Sequence, residues 1–343
     1  MKICEERFGM LSNGEEVKLF TLTAGDLKFS LTNFGAAWTS LIVPSRDKKD
    51  DVLLGYSGLD GFLNNGQFLG VTVGRFANRI KDASFNLNGR TYQLEATDGI
   101  NNLHSGPKGF DKLLWKAESF KKKDGVFVRF ELDSPDGDCG FPGNLNTVVT
   151  YGLTKSNELI CEYFAKSDKP TPVNLTNHAY FNLAGEGRGD ILSHEVTLYA
   201  SSYVEVDKNC IPTGSILPVK DTVFDFTVSK EIIKDFDRKH QGYDHCFVTD
   251  GEPGVLRPCA EVFEKKSGRI MEVSTTQPGV QFYTGNHLVD VAGKQGSRYV
   301  KYSGFCLETQ HFPDSPNREN FPSCITGPGN DYNEKAVFSF FVN

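Results

Sequence analysis

Hairpin signals constrain this chain more than any other feature. Residues 84–96 read SFNLNGRTYQLEA, in which Phe85 and Leu87 alternate with polar neighbours, Asn88-Gly89 follows, and Tyr92 and Leu94 resume the alternation. An Asn-Gly pair between alternating runs is the strongest short-range mark of a β-hairpin. The device returns in KKDGVFVRFEL with Asp124-Gly125, and TVVTYGLTKSNELICEYFAKS reads as two strands joined at Lys155-Ser156-Asn157. The early LKFSLTNFGAAWTSLIV and the C-terminal AVFSFFVN extend the pattern. Helical candidates are few and short, the clearest being SKEIIKDFDRKH at 229–240. There is no alternating strand–helix rhythm and no repeat period. The expectation is an all-β fold, a large antiparallel β-sandwich formed by residues 1–343 as one domain. Sheets of that size curve, and the concave face can serve as a cleft.

Composition narrows the partners. A net charge of -7 over 343 residues argues against nucleic acid or an anionic membrane. No apolar run approaches the roughly 18 residues that span a bilayer, and MKICEERFGM lacks the apolar core of a signal peptide. A cytoplasmic protein is expected. The eight cysteines are scattered with no C-x-x-C pair, which suits free thiols. No G-x-G-x-x-G opens a helix, no nucleophile elbow or phosphate loop occurs, and His194-Glu195 lacks the second histidine of a zinc protease helix. HQGYDHC gathers His240, Asp244, His245 and Cys246, but metal sites pair more tightly and draw on another segment, so no metal is expected.

The chemistry concentrates in NLTNHAYFNL, residues 174–183. Read as a strand of period two, it puts Val173, Leu175, Ala179, Phe181 and Leu183 on one face. Asn174, Thr176, His178, Tyr180 and Asn182 fall on the other, a set of uncharged hydrogen-bonding groups with an imidazole and a phenol. Such a face suits a small polar ligand, and a glycan at the Asn174-Leu175-Thr176 sequon would block it. Four further stretches share the character: GRFANRIKD with Asn78 and Arg79, NNLHSG with His104, QPGVQFYTGN with Gln281, and GFCLETQHFPDSPN with Glu308. A carboxylate among Phe305, Cys306 and Leu307 must be hydrogen-bonded or line a cleft. Partial desolvation would raise its pKa and make it a better proton acceptor; a structural ion pair with Arg79 is the alternative. His178 as a satisfied core group, His104 as a turn residue and Asp244 as a strand cap are equally open at this level.

Taken together, VGRFANRI, NNLHSG, DKLLW, NLTNHAYFNL, YDHCF, TTQPGVQFYTGN and SGFCLETQHFPDSPN resemble, in order and spacing, the aldose 1-epimerase (galactose mutarotase) family. The resemblance runs over essentially the whole chain. It departs at Ser105, where glycine is common, and at Ala179, where serine is common. It implies the large mutarotase-type sandwich, Glu308 as catalytic base and His178 as catalytic acid. It further implies that Asn78, Arg79, His104, Tyr180, Asp244 and Gln281 hold the hydroxyls and ring oxygen of an aldohexose, without a cofactor.

On this reading a hexopyranose opens at C1 when Glu308 removes the C1 hydroxyl proton and His178 protonates the ring oxygen from the opposite side of the C1–O5 bond. The rate is then expected to fall at acid pH as Glu308 protonates and at alkaline pH as His178 loses its proton. Three rivals make different predictions. A glycosidase pairing Asp244 with Glu308 would release an aryl aglycone. A carbohydrate-binding protein would bind without turnover, and a hexose-6-phosphate epimerase would show extra basic residues around its pocket.

Overall fold

The computed structural model describes residues 1–236 and 240–343. Its strands form one nine-stranded and two five-stranded antiparallel sheets, with five two-stranded ladders between them. The N-terminal sheet is a meander of five strands in sequence order, from Lys2–Met10 to Lys49–Asp51. The large sheet has four consecutive antiparallel strands between Lys116 and Ser167, then the C-terminal strand Tyr332–Val342, then Arg269–Thr275 and Arg257–Phe263. The second five-stranded sheet runs Pro212–Pro218, Ser202–Val206, Asp244–Val248, Gly279–Tyr283, Cys306–Gln310.

The hairpins form where the sequence places them. Ser84–Leu87 pairs with Arg90–Gln93, and Asn88 and Gly89 both take positive φ (51° and 76°), the turn that matches strand twist. Leu145–Thr154 pairs with Glu158–Ser167 around Asn157 at φ 60°. One core joins the layers. Trp38 of the N-terminal sheet meets Tyr151 and Phe338 of the large sheet edge-on at 5.3 and 5.7 Å, and Phe181 at 6.4 Å. Edge-to-face packing of this kind adds about 0.5–1.5 kcal/mol per pair beyond the area buried. The eight cysteines are unpaired, and no helix among the described residues is long and apolar enough to cross a membrane.

Two expectations need correction. Over 229–240 there is no α-helix among the described residues: Lys230–Glu231 pairs with Glu195–Val196, and only a short 3-10 helix follows at Ile232–Asp235. The Lys230 amine is held by Val223 O and Asp235, which ties this backbone to the sheet edge. Residues 237–239 of that stretch lie outside the described set. Residues 174–183 are not one strand either. Only Thr176–Asn177 forms a ladder, with Thr72–Val73, and the rest is held by single bridges such as Phe181 to Leu53 and Phe305. The apolar half of the alternation is right, since Val173, Leu175, Ala179, Phe181 and Leu183 all enter the main core. The polar half is buried rather than open. Asn174 holds Ala77 O, His311 O and the His311 N–H, and Asn182 holds Gly189 O and Ser303 O, so these amides tie loops together. Asn174 is fully buried, which leaves no room for a glycan.

Candidate active site

The second five-stranded sheet sorts its side chains by period two. Val280, Phe282, Leu307 and Phe247 point into the main core. Their neighbours Gln281, Tyr283, Glu308 and Asp244 point the other way. Register then sets the contacts: Gln281 lies opposite Glu308, and Asp244 opposite Tyr283. The segment carrying His178 and Tyr180 is bridged to the same sheet at Phe181–Phe305.

The facing wall is a pair of left-handed turns. Asn78 (φ 66°) and His104 (φ 53°) bond each other twice: the His104 N–H donates to Asn78 O, and the Asn78 N–H donates to His104 Nδ1, both at 3.1 Å. Asparagine tolerates this backbone better than most residues. Ser105, at φ 66°, uses its hydroxyl to accept from Phe76 N at 2.7 Å and donate to Phe76 O at 3.2 Å. The departure from glycine therefore braces the turn rather than distorting it. Because Nδ1 accepts, neutral His104 carries its proton on Nε2. Burial, with His178 and Arg79 nearby, holds His104 well below the ordinary imidazole range.

Asn78, Arg79, His104, His178, Tyr180, Asp244 and Glu308 line one cavity of about 320 Å³, at the small end of the roughly 300–1,000 Å³ usual for small-molecule sites. His178 Nε2 lies 3.7 Å from Glu308 Oε1, and both side chains are buried. His178 Nδ1 faces the Cys306 thiol at 3.5 Å. The two groups expected to act as acid and base thus stand side by side on one wall. That arrangement suits the chemistry, because O1 and O5 of a pyranose are bonded to the same carbon.

Burial governs the charges. It raises Glu308 well above the usual carboxylate range; Asp244 pushes the same way and Arg79 opposes. It lowers His178 to about 4, against weaker upward pulls from a backbone carbonyl and Asp244. Both shifts favour the uncharged form of each group. Burial also disfavours the charge on Arg79, but Asp244 and Asp98 outweigh it. Arg79 Nε donates to Asp98 Oδ2 at 2.7 Å and Nη1 lies 3.8 Å from Asp244 Oδ2.

Two predicted ligand residues take a different part. Gln281 is buried behind Asp244, to which its Nε2 donates at 2.6 Å, and it does not line the cavity. The Tyr180 hydroxyl donates to Gln67 O at 3.0 Å, so that residue presents its ring to the cavity and its polar tip to a loop. The sequence reading missed Phe68, Asp98, Tyr283 and His287, which also line the cavity. Asp98 sits in the turn TDGIN and anchors Arg79. We expect Asp98→Asn to weaken sugar binding about three- to fivefold, given a half-exposed pair, with kcat little changed; calorimetric titration with galactose checks it. Among the described residues, His104, His178 and Glu308 are the one set of three that could hold a metal ion, with ligand atoms within 4.8 Å. The residues of HQGYDHC do not converge in that way.

Comparison with known proteins points the same way. A family model described as aldose 1-epimerase matches residues 18–339. The chain is 45% identical to galactose mutarotase of Rattus norvegicus, covering 98% of this chain and 97% of that one. It is 36% identical to aldose 1-epimerase of Escherichia coli strain K12, covering 96% and 97%. Among solved structures, an aldose epimerase homologue from C. elegans superposes with a TM-score of 0.87 at 30% identity, over 94% of this chain and 98% of that one. Galactose 1-epimerase from Lactobacillus acidophilus NCFM superposes at 0.88 and 26% identity, over 100% and 99%.

Proposed function

The chain belongs to the aldose 1-epimerase family and interconverts the α and β anomers of an aldohexose; from that premise we propose that Glu308 and His178 are its two proton carriers and that galactose is among its substrates. Ring opening starts when a Glu308 carboxylate oxygen takes the proton of the C1 hydroxyl. The O1 electrons form the carbonyl, the C1–O5 bond breaks, and O5 takes the proton from His178 Nε2. Rotation about C1–C2 presents the other carbonyl face. Closure reverses each transfer, so both groups end as they began. The observation that carries this reading is the 3.7 Å separation of His178 Nε2 and Glu308 Oε1 on one wall of a sugar-sized cavity.

Opening converts the charged form of the pair, carboxylate and imidazolium, into the neutral form with the proton on Glu308. The burial that raises Glu308 and lowers His178 favours that neutral form, and so lowers the energy of the ring-opened complex. Positioned proton transfer of this kind contributes typically ~10²–10⁴-fold in rate. His104, donating from Nε2, and Arg79 would steady the ring oxygen and neighbouring hydroxyls. Glu308 Oε2, buried on the cavity wall without a partner among the described residues, is free to accept from a sugar hydroxyl. Among the described residues, Arg79 is the one Lys or Arg side chain on the cavity wall, and two carboxylates already engage it, which favours a free sugar over a phosphorylated one. The unpaired cysteines suit a reducing, cytoplasmic setting.

Polarimetry on freshly dissolved α-D-galactose and α-D-glucose tests the proposal. Catalysed decay of rotation is expected, with no release of nitrophenol from an aryl galactoside. The rate should be bell-shaped in pH. The acid limb, near pH 4, is the arrival of a second proton on the pair, at His178; the alkaline limb is loss of the single proton, from Glu308. The shape matches the sequence expectation, but the owners of the two limbs are exchanged. A rate still level below pH 3 would remove His178 from the pair.

A further inference from the structure

Phe68 is not required by the proton chemistry, yet it holds the least comfortable backbone on the cavity wall. Its φ is 57°, a left-handed value that is an outlier for a bulky residue and clusters at functional sites. The turn around it is fixed from several sides. Asn65 accepts from Leu69 N at 2.9 Å and donates to Leu69 O at 3.0 Å, Lys112 Nζ holds Asn65 O at 2.8 Å, and Tyr180 holds Gln67 O. What this fixation achieves is a ring placement. The Phe68 ring centroid lies 4.6 Å from that of His104 and 6.0 Å from that of His178, stacked on the latter at 22°. Tyr180 stacks on the same imidazole at 5.0 Å, also at 22°.

We propose that Phe68 is a positioning residue, whose strained backbone places one ring against both imidazoles, fixing His178 Nε2 toward Glu308 and keeping water from that side of the pair. It rests on the reading of His178 and Glu308 as the proton carriers. The strain offers a way to separate catalysis from folding. Glycine adopts φ 57° freely, so Phe68→Gly removes ring and strain together. The melting temperature is expected to stay within about 4 °C of the parent. Turnover should fall about 10²-fold, the penalty of a misplaced catalytic group, with KM changed less. The acid limb of the pH profile should move up from about 4 as water reaches His178. The groups facing His178 (Glu308, His104, Cys306, Tyr180 and Tyr283, with Asp244 beyond) are all retained in this variant. Phe68→Tyr, which restores a ring, should recover most of the turnover, and Tyr180→Phe, which frees Gln67 O, should show a weaker form of the same defect. If Phe68→Gly melts much lower, Phe68→Leu keeps bulk without the ring and should still lose turnover. Parental turnover and an unmoved acid limb in both Gly and Leu variants would overturn the role of Phe68. If Glu308→Gln were also fully active, the reading of the whole site would fall with it.

Discussion

Glu308→Gln is expected to yield a folded protein that binds galactose with near-parental affinity but interconverts its anomers ~10²–10⁴-fold more slowly. The amide matches the carboxylate in size and can still hydrogen-bond a hydroxyl, but it accepts no proton. The variant should also be more stable, which separates loss of chemistry from loss of fold. A carboxyl whose pKa is raised on folding favours the native state below its unfolded value, near 4.5, and loses that contribution as pH rises through the raised native value. At neutral pH and above, the parent carries the burden of a buried, poorly partnered carboxylate that glutamine lacks. The gap in melting temperature should therefore widen from pH 5 upward. Polarimetry at saturating galactose, with a melting series across pH, measures both. Parental turnover would exclude Glu308 as the base, and a lower melting temperature at every pH would show the carboxylate to be a structural partner instead.

Glu308 was legible in the sequence because a carboxylate between Cys306-Leu307 and Thr309 has few places to go in a sheet. The sheet itself was legible because hairpin turns are local chemistry: Asn88-Gly89 needs two positive φ values, and few other dipeptides supply them. What stayed hidden depends on tertiary partners. A buried amide that ties two loops, as Asn174 and Asn182 do, has the same sequence signature as one that grips a sugar. Gln281 was placed on the right face, but the diagonal contact with Asp244 decides where its amide points. Phe68 and Tyr283 could not be singled out among 27 phenylalanines and 12 tyrosines. A backbone strained by its surroundings leaves no mark on periodicity. The helix expected at 229–240 is cut to a short 3-10 helix because the sheet edge captured the backbone through Glu195–Val196, whose partners Glu231 and Lys230 lie 36 and 34 positions along the chain.

His178→Gln carries the sharper test, because it predicts a slope and not only a loss. Glutamine sets its amide near the position of Nε2 and can donate a hydrogen bond to the ring oxygen, but it delivers no proton. Turnover should fall ~10²–10⁴-fold, and what remains should depend on Glu308 alone. Residual activity then needs Glu308 ionised, so it should climb with pH through the raised carboxyl range, where the parent declines. Glu308→Gln should behave in the opposite sense: its residual rate needs a protonated His178 and should fall as pH rises from the acid side. The stability signs also differ. A histidine lowered from 6.5 to about 4 on folding supports the native state above its unfolded value and loses that support as pH falls through the native one. His178→Gln should thus resist acid between pH 6.5 and 4 better than the parent. Two groups that act as one proton-carrying unit are not additive, so the double variant should turn over no more slowly than the worse single one. Opposed slopes in the two single variants, after subtraction of the uncatalysed rate at each pH, are what a shared proton requires. Parallel slopes would mean that one titrating group serves both oxygens and that His178 only shapes the cavity.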